Sequence, residues 1–168
     1  MELHLQSHHW ERRAPDWAAA AVAGFAAGAL LMVIEMVWSA LVQGVSPWSL
    51  PRMIAAIAMG RDTLQSSGFS VQVLAVALAI HYVLGIAFGL LLAVIIAPFR
   101  LDSSVGMALG IGALFGVALY LVDFYGMVQA FTWFKEVRGA GMLTLHVIFG
   151  MAAAALYWKL ERRSTGSA

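Results

Sequence analysis

Apolar residues run almost unbroken through four stretches of this chain, near Trp17 to Gln43, Val71 to Pro98, Val105 to Phe131 and Ala140 to Trp158. Each can cross a bilayer core, which takes about 20 residues of helix at about 1.5 Å per residue. The pattern predicts an all-α, integral membrane four-helix bundle. The first stretch far exceeds the roughly 7 to 15 apolar residues of a cleaved signal peptide, so it is expected to stay in the membrane. Polar tails flank the spans at 1–16 and 159–168. The connections are short except Gly44 to Ser70, where "SPWSLPRMIAAIAMG" has Pro51 where a helix starts and Gly60 where one stops. That spacing predicts a short outer interfacial helix near 50–60, either a lid over the bundle or an interface anchor, with Trp48 suited to the headgroup level. Trp133 and Phe134 in the third connection read as anchors too.

Two of the spans share a frame. "GFAAGALLMVIE", residues 24 to 35, and "GALFGVALYLVD", residues 112 to 123, both read Gly, three residues, Gly, six residues, acid. The other two spans share a second frame: "LAIHYVLGIAFG" and "LTLHVIFGMAAA" each place a Gly four residues after a His, at His81 and His146. The simplest account is two copies of a helical hairpin, 17–98 and 105–158, set parallel about an axis along the membrane normal. Chance Gly spacing is the competing account, since 16 of the 168 residues are Gly and small-xxx-small spacing is common where membrane helices pack. Against chance, the matched frames align the Asp, Glu and His residues that lie deep inside the spans.

Helical rise puts those residues at one level. Counted from the outer boundaries, Glu35 lies about 12 Å in, His81 about 15 Å, Asp123 about 12 Å and His146 about 9 Å. Gly24 and Gly28 share a face with Glu35, Gly116 and Tyr120 with Asp123, Gly85 with His81, and Gly150 with His146. Gly24, Gly28, Gly85, Gly89, Gly112, Gly116 and Gly150 therefore mark the faces where helices approach, and the ionisable groups point inward. A charge facing hydrocarbon costs at least about 2.5 to 3.5 kcal/mol on insertion scales. Glu35, His81, Asp123 and His146 are thus the candidate site, with Tyr82, Tyr120 and Tyr125 as supporting hydrogen-bond partners.

Two carboxylates and two imidazoles suit a transition metal or zinc, and a bundle core is where such sites are built. The di-iron pattern Glu-x-x-His is absent from every helix. A proton or cation relay is the second reading, and two acid–imidazole pairs that only lock the bundle are the third. Haem held by His81 and His146 is a fourth, opposed by carboxylates at the same level as the apolar ring. His8 and His9 form an adjacent pair on the polar tail and are a weak metal signal.

Composition supports the membrane class and closes several others. The chain is 62% hydrophobic and 11% charged, too little polar surface to cover a soluble globule of 168 residues. A net charge of +1 without a long basic run gives no reason to expect a nucleic-acid partner. The lipid bilayer is the partner the sequence implies, with a homo-oligomer or a larger membrane complex left open. The absence of cysteine excludes disulfides, thiolate metal sites and cysteine nucleophiles. No Ser-His-Asp order, P-loop or dinucleotide fingerprint appears, which argues against an enzyme of the usual soluble kinds. Arg12, Arg13, Arg100, Lys159, Arg162 and Arg163 fall on the side of the termini, against Arg52, Arg61, Lys135 and Arg138 on the other. That bias favours both termini in the cytoplasm.

The segments "IHYVLGIAFG", "DFYG" and "LHVIFGMAAAALY" resemble those of uncharacterised four-span bacterial inner-membrane proteins. The resemblance implies a bacterial inner-membrane location and carries over no catalytic residue. An accessory or structural subunit of a membrane complex therefore stands beside the ion-binding reading.

Overall fold

The computed structural model describes residues 13–66 and 68–165, whose regular structure is helical, with no strand among the described residues. Helix α1 spans Trp17–Leu41, α2 Ser49–Met59, α3 Val71–Phe99, α4 Val105–Leu121 and α5 Ala140–Thr165. Four segments are long and apolar enough to cross a membrane: α1, α3, the segment Val105–Gln129 that begins with α4, and Ala140–Glu161 within α5.

Local chemistry sets the helix starts. Asp16, Ser70 and Ser104 each accept a hydrogen bond from the backbone N–H three residues on, at 2.9, 3.3 and 3.2 Å, which satisfies donors that the first turn leaves orphaned. The stops are less uniform. Pro98 lies in the last turn of α3, and Arg100 ends it in the left-handed region at φ 51°. Gly60, at φ 92°, ends α2 where the sequence expects it. Two boundaries differ from the sequence reading. The third span does not stay α-helical to Phe131: it passes into a π turn at Val122–Gly126 and then a 3-10 turn at Met127–Gln129. The fourth runs beyond Trp158 to Thr165, so much of the expected polar tail is helix.

Glycine decides which helices touch. A Cβ on Gly24 would lie 2.9 Å from the Gly89 Cα, and one on Gly89 would lie 2.7 Å from the Gly24 Cα, so α1 and α3 cross backbone to backbone. A Cβ on Gly112 would lie 2.8 Å from both Gly150 C and Ala154 Cβ, which brings α4 equally close to α5. Such approaches need no side chain at the crossing. The two pairs join through α1 and α5, and Ala20, Ala23 and Ala27 of α1 and Ala153 and Ala154 of α5 are buried. Helix α3 meets α4 only sparsely.

The end that carries the termini is tied by a polar clasp. Arg13 donates to Asp102 at 2.9 Å and also pairs with Glu161, while the Tyr157 hydroxyl accepts from the Asp16 N–H at 3.3 Å and donates to Glu161 at 3.2 Å. Asp102, Tyr157 and Glu161 are buried. The residues just before α1 are thus fastened to the connection between α3 and α4 and to the end of α5. At the opposite end, α2 and the 3-10 turn Thr132–Val137 close over the bundle. That is where the candidate site lies.

Candidate functional site

Glu35, His81, Asp123 and His146, one from each membrane-spanning segment, line a single cavity of about 110 Å³. Most of its wall is apolar, including Leu31, Phe88, Leu119 and Phe149. The sequence therefore brings the four residues to one space, but it does not pair them alike.

The second hairpin forms a bonded pair. His146 Nδ1 lies 2.9 Å from the Met142 carbonyl and Nε2 lies 3.1 Å from Asp123 Oδ2. A carbonyl only accepts, so Nδ1 carries a hydrogen and donates. The Nε2 contact then shares one further proton, written either as imidazolium with carboxylate or as neutral imidazole with carboxylic acid. Both forms have zero net charge. Tyr120 and Phe124 stand edge-on to the imidazole, with centroids 6.0 and 5.5 Å away, and fix its plane. Asp123 lies in the π turn, a form often found as a single turn inserted at functional sites. Arg138 braces that turn: its guanidinium donates to the Phe124 carbonyl and stacks 4.0 Å above the Tyr125 ring.

The first hairpin has no such pair. His81 Nε2 lies 2.9 Å from the Gly28 carbonyl, so Nε2 carries the hydrogen and Nδ1 is left as the acceptor. Glu35 is only 6% exposed and makes no hydrogen bond or ion pair among the described residues. A buried carboxylate without a direct partner is costly, and it signals a proton, a ligand or a cation at that position.

Leu50, Ile54 and Ile57 of α2 form the wall on the loop side, and Phe134 and Val137 of the following turn join them. The Trp133 indole N–H donates to the Met53 carbonyl at 3.1 Å and ties the turn to α2. Helix α2 thus covers the cavity, as the lid reading expects, while Trp48 packs against Phe69 with centroids 4.8 Å apart. Trp133 and Phe134, expected as interface anchors, are instead a buried tie and a wall.

The supporting tyrosines differ from expectation. None of the hydroxyls of Tyr82, Tyr120 and Tyr125 hydrogen-bonds the four residues among the described residues, and their contacts are through rings: Tyr82 to Phe25 and His81, Tyr120 to His146, Tyr125 to Arg138. Among the described residues no group of three or more His, Asp or Glu is placed to hold a metal ion, so the metal and zinc reading lacks a donor set. The haem reading meets a similar obstacle, because the Nε2 atoms of both His81 and His146 already face protein acceptors. His8 and His9 lie outside the described residues.

Sequence reasoning missed Arg138, the apolar face of α2 as a wall, and the Arg13 clasp. The wall had a visible signal, since Leu50, Ile54 and Ile57 recur at helical spacing. Arg138 and Arg13 had none, because an arginine in a polar connection or tail reads as solvated. No protein family, curated protein or solved structure matches the chain.

Proposed function

We propose that this multi-pass membrane protein binds or passes a proton or small cation at the cavity shared by Glu35, His81, Asp123 and His146. The observation that carries this reading is Glu35, a buried carboxylate facing the cavity with no direct partner, beside an Asp123–His146 pair that is already neutral as a unit. One positive charge, as proton or cation, balances the site. Polar groups within membrane spans commonly mark such pathways. The paired frames further support reading the chain as two hairpin copies, because Gly24 meets Gly85 in the first as Gly112 meets Gly150 in the second. We place the protein in a bacterial inner membrane with both termini cytoplasmic, on the resemblance and the basic-residue bias. A reporter fused after Ala168 then reads as cytoplasmic, and an external reading inverts the orientation.

Flux measurements in proteoliposomes test the site. Glu35→Gln and Asp123→Asn are each expected to lower proton or cation flux, and the double variant to cost much less than the sum because the first change has already disabled the site. If both variants fold and conduct as the parent does, the cluster is structural. The internally satisfied Asp123–His146 pair favours that second reading, an accessory subunit whose partner carries the activity.

A further inference from the structure

We infer that the cavity is built for a short-chain alkylammonium ion, with Glu35 as its counter-ion and helix α2 as its cover. This rests on the cation-binding reading of Glu35 and narrows the cation by chemistry.

Charge comes first. Asp123 and His146 together are neutral whichever atom holds their shared proton, and with His81 as the neutral imidazole whose Nε2–H donates to the Gly28 carbonyl, the cavity with Glu35 ionised carries a single negative charge. An anion is repelled, and a neutral ligand leaves the carboxylate unbalanced.

Lining and size narrow the class further. A bare metal ion needs several donors to replace its hydration shell, and no such group is assembled among the described residues. The walls are instead alkyl and aromatic, with Leu31, Leu50, Ile54 and Leu119 beside Phe88 and Phe149, whose rings meet edge-to-face with centroids 6.4 Å apart. Such walls favour an apolar body, and aromatic faces also attract an ammonium. The volume of about 110 Å³ is smaller than a cavity of about 150 Å³ that accepts benzene. That volume fits a few carbons behind one nitrogen better than a drug-sized cation. An ammonium has three donors, and Glu35 offers carboxylate oxygens that no protein donor occupies among the described residues.

The test is calorimetric titration of the protein in nanodiscs with n-butylammonium, with n-butanol as its uncharged counterpart and with sodium and potassium ions, alongside flux of the same ions. Saturable binding of n-butylammonium, at least about tenfold tighter than n-butanol and lost in Glu35→Gln, is expected. Ile54→Trp, which fills the cavity from α2 without altering its charge, should weaken that binding as well. If n-butanol binds as tightly as the amine, the site is a plain apolar pocket and this inference falls, and the cation reading falls with it only if Glu35→Gln also leaves proton, sodium and potassium flux unchanged. If the amine does not bind but Glu35→Gln still lowers proton, sodium or potassium flux, this inference is overturned and the cation reading stands. If nothing binds and flux is unchanged, both are overturned.

Discussion

The two hairpins share their frames of glycine, acid and histidine, yet they place the acid differently. In the second, a Cβ on Gly116 would lie 2.7 Å from His146 C and from Val147 Cα, so α4 and α5 stay in contact up to the level of the histidine. His146 then reaches forward to Asp123 in the π turn. In the first, a Cβ on Gly28 would lie 3.7 Å from both Gly85 Cα and His81 Nε2. The extra space lets the His81 ring turn back onto the Gly28 carbonyl, and Glu35, on a regular α-helix, is left without it. Both acids line the cavity, but the closed crossing pairs its acid with its histidine, while the looser one leaves its acid without a direct partner. About 1 Å of clearance at one glycine, 2.7 against 3.7 Å, thus goes with a paired acid in one hairpin and an unpaired one in the other.

The largest effect that breaks this comparison is steric. Gly116→Ala is expected to destabilise the bundle by about 3 kcal/mol, because backbone rather than a flexible side chain occupies the space the methyl needs. Gly28→Ala meets only ordinary contacts and gains helix propensity, so it should be neutral or stabilising by up to about 1 kcal/mol. Reversible unfolding in mixed detergent measures both, and equal losses would show that the hairpins close alike.

The acids give the next largest effect. Asp123→Asn removes the charge-assisted partner of His146 and should cost about 1 to 2 kcal/mol of stability. Glu35→Gln removes a buried acid that has no direct partner, so it should leave stability within about 0.5 kcal/mol of the parent or raise it. The same unfolding assay separates them. A larger loss from Glu35→Gln would mean that Glu35 is the structural acid and Asp123 the free one.

Much of the membrane architecture was legible in the sequence. The starts Trp17, Val71, Val105 and Ala140 follow from where apolar runs begin, and three of them are fixed by a capping side chain just before. The convergence of Glu35, His81, Asp123 and His146 on one cavity was legible too, since helical rise and phase are properties of the sequence. Their hydrogen bonds were not. Whether His81 faces Glu35 or the Gly28 carbonyl depends on helix separations finer than any residue pattern encodes. The π turn at Asp123 was equally hidden, because "VDFYG" contains nothing that separates an α from a π hydrogen bond. The Arg13 clasp was missed because it joins residues far apart in the chain, Arg13 to Asp102 and Glu161.

The smallest expected effect concerns the cover, which lies nearer to the open hairpin. Helix α2 packs on α3 far more than on α1, and its tie to the second hairpin runs through the Trp133 N–H on the Met53 carbonyl. Trp133→Phe keeps an aromatic ring and removes only that donor, so its cost should be that of one hydrogen bond, about 1 kcal/mol. Spent on local opening rather than on unfolding, this raises the open population of α2 about fivefold. The chain has no cysteine, so a single thiol reports the opening cleanly. In an Ile57→Cys background, where the side chain lines the cavity, Trp133→Phe should speed labelling by a water-soluble maleimide about fivefold. In Ala58→Cys, already exposed on the same helix, the rate should not change. Equal labelling at position 57 with and without the indole N–H would mean that apolar packing alone holds α2 down, and that the two hairpins are not coupled through their cover.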